Sequence, residues 1–375
     1  MADFHLKFND SGKFKILCFA DFHMELRNTA KGYDTIALIN GALDKLKPDL
    51  AVFLGDNIWD WEGMTREALY DSIDALTEPF AQRGIALALV FGNHDSQALL
   101  TIEEQLEAFC RYDKCLAVKG ECEHGFCNYN LVINNSSDTR GVFNLWFFDS
   151  NGRGTGDLEA SEERMHWYEG AARALREQNH GYSLPALVFR HIPAPEVYEL
   201  LKEVPPLTPF CVKASLDGAD KYYVISEPRF TTGALGESPG VTKSNCGEFS
   251  SWVRTGDVLG AVFGHDHLND FCGTVDGINL MQTRGSGFYA YGDGLNRGVR
   301  LITLDEGDLS TFTTQTLYFK ELTDGKRSLS LTGMDTLTRK QKKALRGTLA
   351  VGGSAAAASV LGIVTAAIAK KFRKK

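Results

Sequence analysis

The apolar run Val262-Phe263-Gly264 ends in His265-Asp266-His267. In an extended segment, positions i and i+2 point to one face, so His265 and His267 can offer two neutral imidazoles to a single metal centre. Four other segments share this build, a hydrophobic run that stops at Asp, Asn or His. Asp21 and His23, again at i and i+2, follow residues 14–20. Asp56 follows the run 50–54 through Gly55, and Asn93, His94 and Asp95 follow the run 85–91 through Gly92. His191 follows residues 186–189. Taken singly, each position has a bland alternative: Asp21 as a turn or cap residue, His191 as a hydrogen-bonded core histidine, Asp95 as a helix N-cap. Together the segments collect five of the chain's nine histidines at the ends of apolar runs. That recurrence favours metal ligation over packing.

Such residues work together only if the fold brings the run ends to one place. Residues 14–20, 50–54, 85–91 and 186–189 are mostly apolar, as expected of strands buried on both faces. Open α/β sheets gather their ligands at the C-terminal ends of such strands. Apolar positions at helical spacing over 33–46, closed by Pro48, and over 65–83 predict helices between the first three strands. Further helices are predicted over 102–111 and over 161–178, the latter capped by Ser161, with strands over 129–133 and 142–149. Segments 270–275, 278–283, 298–304 and 309–319 alternate like antiparallel strands and are expected to complete a second sheet packed on the first. The expected fold class is α/β, in the form of an α+β sandwich: two packed mixed sheets flanked by helices, with the candidate metal ligands at the C-terminal strand ends. Residues 204–255 are rich in Pro, Gly, Ser and Thr with little periodicity, and read as an insertion or lid on the substrate side.

Composition narrows the function. At 375 residues, 43% hydrophobic and 11% aromatic, the chain can bury a large core. Its charge is uneven, because residues 336–375 hold ten Lys/Arg and no Asp/Glu, while residues 1–335 hold 30 Lys/Arg against 48 Asp/Glu. An acidic body argues against a nucleic-acid groove as the main surface, since phosphate backbones are gripped by clustered Lys and Arg. The eight cysteines fit a reduced compartment. Cys110, Cys115, Cys122 and Cys127 nevertheless follow C-x4-C-x6-C-x4-C with His124 between them, a spacing open to a structural zinc or to free thiols.

The blocks D-x-H, GD, GNHD, H and GHDH, in that order, resemble the calcineurin-like metallophosphoesterase superfamily over most of residues 14–320. Within it, FADFH, GDNI, GNHDS, HIPAPE and GHDHLNDFCG are most similar to a branch related to the purple acid phosphatases. His23 replaces the glycine of the purple enzymes' D-x-G block, and Trp59 stands where their iron-binding tyrosine would be. No purple colour is therefore expected. The resemblance implies that Asp21, His23 and His267 hold a first metal, that Asn93, His191 and His265 hold a second, and that Asp56 bridges them. It implies two divalent transition-metal ions, Mn, Fe, Ni or Zn, and hydrolysis of phosphomonoesters or phosphodiesters by in-line attack of a metal-bridging hydroxide. His94 is similar to the residue that contacts the phosphate or protonates the leaving oxygen, with Asp95 orienting and charging its imidazole. A catalytically silent scaffold of the same fold is the alternative.

Residues 347–369 form a 23-residue stretch without a charge, flanked by five Lys/Arg on each side. A helix of that length reaches roughly 34 Å, enough for a hydrocarbon core of about 30 Å. We therefore expect a catalytic domain over 1–335 and a basic tail over 336–375 with a transmembrane helix. The N-terminus has no cationic start and no apolar run before the first strand, so no signal peptide is read there. The expected location is a cytoplasmic body anchored to a membrane at the C-terminus, which also raises lipid-linked phosphates or pyrophosphates as substrates.

Overall fold

The structure is a computed structural model and describes residues 5–325 apart from residues 27, 60–62, 121–125, 150–157, 217 and 243–244. The tail expected over 336–375 lies outside the described residues, as do Cys122 and His124 of the cysteine cluster. Three strands that carry expected ligands lie side by side in parallel: Lys13–Phe19 pairs with Leu50–Leu54, which pairs with Ala86–Val90. The antiparallel strands Gly298–Asp305 and Asp308–Tyr318 extend this sheet to five, Ile302 standing opposite Ile16. A second sheet of eight strands has a parallel centre formed by Gly141–Phe148, Ala186–Arg190, Val258–Phe263 and Ile278–Gln282.

The continuous apolar runs of the second sheet are explained by period two. Leu145, Phe147, Leu187, Phe189 and Val262 face the first sheet and share one core with Phe19, Phe53 and Leu89. The alternate residues Trp146, Phe148, Val188, Ala261 and Phe263 form a second core with Tyr168 and Trp252 from the helices Leu158–Gln178 and Glu248–Thr255. Helices Ala30–Leu46 and Arg66–Ala81 cover the outer face of the first sheet, burying Leu38, Leu43, Ile73 and Phe80. The result is the expected α/β sandwich, two mixed sheets between helical layers. Truncating Phe189 to Ala would cost about 3–5 kcal/mol, at a strand whose next residues lead directly into His191.

Several boundaries differ from expectation for local reasons. Helix Ala30–Leu46 begins a turn early because Thr29 Oγ1 accepts from Gly32 N at 3.1 Å. Ser161 lies inside helix Leu158–Gln178 and not at its cap. The four C-terminal strands do not form one sheet: Cys272–Val275 and Ile278–Gln282 join the eight-stranded sheet, whereas the last two join the five-stranded one. Alternation reports which residues face inward and carries no record of which strand becomes the neighbour. Residues 204–255 contain a hairpin of Val212–Leu216 and Ala219–Ile225 that pairs with Leu201–Glu203 into a three-stranded sheet.

Candidate metal centre

The C-terminal ends of strands from both sheets open onto the same cleft. Asp21 and His23 leave the strand Lys13–Phe19, Asp56 leaves Leu50–Leu54, and Asn93 leaves Ala86–Val90. From the other sheet, His191 leaves Ala186–Arg190, and His265 and His267 leave Val258–Phe263. Each chain must turn sharply to aim its side chain inward. Asp21, His23, Asp56 and His265 all take left-handed backbone with φ of 54°, 43°, 51° and 72°. For non-glycine residues such backbone costs about 1–3 kcal/mol each and clusters at functional sites. Gly55 and Gly92 are required where the ligand-bearing loops meet: a Cβ on Gly92 would fall 2.2 Å from Asp56 Oδ1, and one on Gly55 2.7 Å from His191 Nδ1 of the other sheet.

Two groups of ligand-type side chains result. In Asp21, His23 and His267, and again in Asp56, His191 and His265, one donor atom per residue lies within 4.8 Å of the others. His267 Nε2 lies 3.4 Å from Asp21 Oδ1 and 3.3 Å from His23 Nε2. His191 Nε2 lies 3.3 Å from Asp56 Oδ2 and from His265 Nδ1, and 3.1 Å from Asn93 Oδ1. Asp56 Oδ2 is also 3.5 Å from His23 Nε2, so this one carboxylate touches both groups. The outward nitrogens are fixed by carbonyls, His191 Nδ1 on Leu54 O at 2.8 Å and His267 Nδ1 on Tyr291 O at 2.9 Å. Those contacts leave both Nε2 atoms facing the cleft.

The electrostatics call for positive charge. Burial alone would raise the carboxyls of Asp21 and Asp56, but His267 and His191 beside them hold both below the usual range. Burial works against a charged His191, yet Asp56 outweighs it and lifts that imidazole to about 9. His23 and His265 are pushed down to about 4, chiefly by burial. Asp21 Oδ1 is buried with no hydrogen-bond partner. A buried carboxylate oxygen that accepts no well-formed hydrogen bond, set among inward imidazoles, fits divalent cations.

The expected partnership of His94 with Asp95 is not formed. Asp95 is buried, and its carboxylate is taken up by backbone: Oδ1 accepts from Asn57 N at 2.8 Å and Ile58 N at 3.1 Å, and Oδ2 from Gly92 N at 2.8 Å. Burial and the charge of Asp56 push this carboxyl up to about 7. Asp95 therefore ties the Asp56 loop to the Asn93 loop. His94 Nδ1 instead meets Gln97 Oε1 at 3.0 Å, its backbone N–H donates to Asp56 Oδ1 at 2.8 Å, and its ring packs on Trp59 at 4.6 Å. Two other participants carried no signal in the sequence. Tyr291 stacks on His267 with centroids 4.1 Å apart and planes 4° from parallel, and its hydroxyl donates to Glu237 Oε2 at 3.0 Å.

The chain is 27% identical over 336 residues to a "Probable inactive purple acid phosphatase 29" of Arabidopsis thaliana, covering 80% of this chain and 79% of that one. It is 28% identical over 299 residues to "Phosphatase DCR2" of Saccharomyces cerevisiae, covering 71% of this chain and 46% of that one. Among solved structures, a dimetal phosphatase from Danio rerio aligns with a TM-score of 0.45 at 13% identity, covering 81% of this chain and 98% of that chain. Residues 14–269 match the family described as calcineurin-like phosphoesterase, and the chain belongs to that family.

Proposed function

We propose that this protein hydrolyses phosphomonoesters or phosphodiesters at a two-cation centre. Asp21, His23 and His267 would hold one ion, Asn93, His191 and His265 the other, with Asp56 shared. The observation that carries this reading is Asp56 Oδ2, 3.5 Å from His23 Nε2 in one group and 3.3 Å from His191 Nε2 in the other. A carboxylate in that position can serve two cations at once. Ions bound there would supply positive charge for the phosphoryl oxygens and acidify a water between them. The chain's own part is preorganisation: Asp21 and Asp56 are held ionised, Nε2 of His191 and His267 are aimed inward, and the strained loops are bolted by Asp95. His94, partly exposed beside His23 with ring centroids 5.3 Å apart, would donate a proton to the leaving oxygen.

The word "inactive" in the Arabidopsis thaliana relative's name favours a second reading, a catalytically silent scaffold. Against it, all seven ligand positions in this chain carry Asp, Asn or His. Metal analysis of the full chain, followed by assay on a panel of phosphate esters after reconstitution with Mn, Fe, Ni or Zn, separates the two. About two ions per chain with turnover supports hydrolysis. A protein that stays monometallic and inert in every metal supports the scaffold.

Membrane attachment belongs to the same proposal, with a cytoplasmic body held by residues 347–369. Among the described residues no helix is long and apolar enough to cross a membrane, and the 347–369 segment lies outside them. Its support is the uncharged stretch between basic flanks. Retention on membranes through high-salt and alkaline washes is the expected result, since apolar burial is insensitive to ionic strength. Extraction by salt alone would reduce the tail to a basic surface helix and remove the support for lipid-linked substrates.

A further inference from the structure

Away from the cleft, two thiols stand in contact at the end of helix Ile102–Phe109. Cys110 is the residue that closes this helix, its N–H donating to Leu106 O at 2.9 Å, and it is exposed. Cys115 is partly buried and lies on the edge of the five-stranded sheet, bridged in parallel to Leu87. Its neighbours complete that bridge, Leu87 N donating to Lys114 O at 2.9 Å and Leu116 N to Leu87 O at 2.7 Å. The two sulfurs are 3.9 Å apart. A disulfide needs about 2.05 Å, a closure of about 2 Å that falls to Cys110, the residue with solvent on one side. Cys127, by contrast, is fully buried.

We propose that Cys110 and Cys115 are a redox pair, oxidised by peroxides to an intramolecular disulfide that clasps the end of helix Ile102–Phe109 to the strand Ala86–Val90. The two sulfurs divide the work. Contact with Cys115 holds the Cys110 thiol below its ordinary range, while that same contact and burial hold Cys115 well above it. Cys110, as thiolate, attacks a peroxide oxygen; the O–O bond breaks, hydroxide leaves with the thiol's proton as water, and a sulfenic acid remains. The Cys115 sulfur then attacks the Cys110 sulfur, the S–O bond breaks, and the departing hydroxyl takes the Cys115 proton as a second water. Two thiols have lost two electrons, and one hydrogen peroxide has become two waters. A dithiol reductant reverses the step by exchange. The clasp bears on the cleft indirectly, because Gln105 of the same helix donates to Asp95 O at 2.7 Å and Leu100 O at 2.9 Å.

The sequence makes the pair easy to map, since Arg111 and Lys114 lie between the cysteines and trypsin separates them. Full-length protein is treated with a small excess of hydrogen peroxide, alkylated, digested and analysed without reduction. The expected product is a cross-link between the Cys110 and Cys115 peptides, about 2 Da lighter than their sum. It is reversed by dithiothreitol, absent in Cys110→Ser and retained in Cys127→Ser. Oxidation should also raise the thermal midpoint of the wild type by a few degrees, with no such rise in Cys110→Ser. The proposal is overturned if Cys115 is found joined to Cys122 or Cys127, or if Cys110 proceeds to sulfinic acid without a cross-link. It is equally overturned if both thiols resist alkylation because they hold a zinc ion that the Cys110→Ser/Cys115→Ser double variant loses.

Discussion

The Nδ1 atom of His94 faces Oε1 of Gln97 at 3.0 Å, three residues along a short 3-10 turn that begins at Asp95. A neutral amide oxygen accepts from Nδ1–H and orients the ring without placing a formal charge beside it, leaving Nε2 as the nitrogen from which a ring protonated at both positions would give up its proton. His94→Ala should leave the metal content unchanged and lower kcat by about 10²–10⁴, the range for a lost general acid. Gln97→Leu should cost about tenfold or less, since the ring remains packed on Trp59. Metal analysis beside steady-state kinetics checks both, and loss of metal in His94→Ala would make His94 a ligand.

Asp56 and Asp95 separate cleanly by substitution. Asp56→Ala removes the carboxylate shared by the two groups, and the protein should lose metal and activity together. Asp95→Asn replaces an acceptor oxygen by an amide donor facing backbone N–H groups, costing about 1–3 kcal/mol of stability. Urea denaturation should register that loss, with a smaller effect on metal stoichiometry than in Asp56→Ala. Equal metal loss in both would show that the Asp95 tie is needed to form the site at all.

Much of this centre is legible in the sequence because strand ends are local features. Gly55-Asp56, Gly92-Asn93 and His265-x-His267 each place a ligand within two residues of an apolar run, and parallel pairing brings those ends together. Three things are not legible. Asp95 sits next to His94 in the chain, but the N–H groups of Asn57, Ile58 and Gly92 compete for its carboxylate, and only the fold shows that they win. Tyr291 and Glu237 come from irregular segments where periodicity reports nothing. The division of the last four strands between two sheets depends on register, as with Ile302 opposite Ile16, which alternation does not encode.

A buried ion cluster behind His191 predicts a pH-dependent stability. Glu248 accepts from Arg190 Nη1 at 2.6 Å and from Arg164 Nη2 at 3.0 Å, joining two helices to the strand Ala186–Arg190 that leads into His191. Burial would raise the Glu248 carboxyl, but Arg164 and Arg190 outweigh it and hold it below the usual range. A depressed carboxylate stabilises the fold fully above its unfolded pKa, and that contribution is lost as pH falls through the depressed value. Glu248→Gln should therefore be less stable than wild type near neutral pH, by about 3–5 kcal/mol for a broken buried pair, and the gap should narrow on acidification. Urea midpoints of the two proteins at neutral and acid pH measure it, and a gap independent of pH would show that Glu248 contributes by packing alone.

Tyr291 supports His267 in two separable ways, through its backbone carbonyl on Nδ1 and through its ring stacked at 4.1 Å. Tyr291→Ala deletes the ring and keeps the carbonyl, so His267 should hold its tautomer and lose only the stack. An aromatic pair of this kind is worth about 0.5–1.5 kcal/mol, which converts to roughly a two- to thirteenfold weakening of metal affinity. Tyr291→Phe keeps the stack and gives up the hydroxyl's bond to Glu237, and should weaken affinity less. Competition with a chromogenic chelator gives the three affinities directly. Wild-type affinity in Tyr291→Ala would show that the carbonyl alone fixes His267. A complete loss of metal, comparable to Asp56→Ala, would show that the ring holds the loop around residue 291 in place and that both supports fail together.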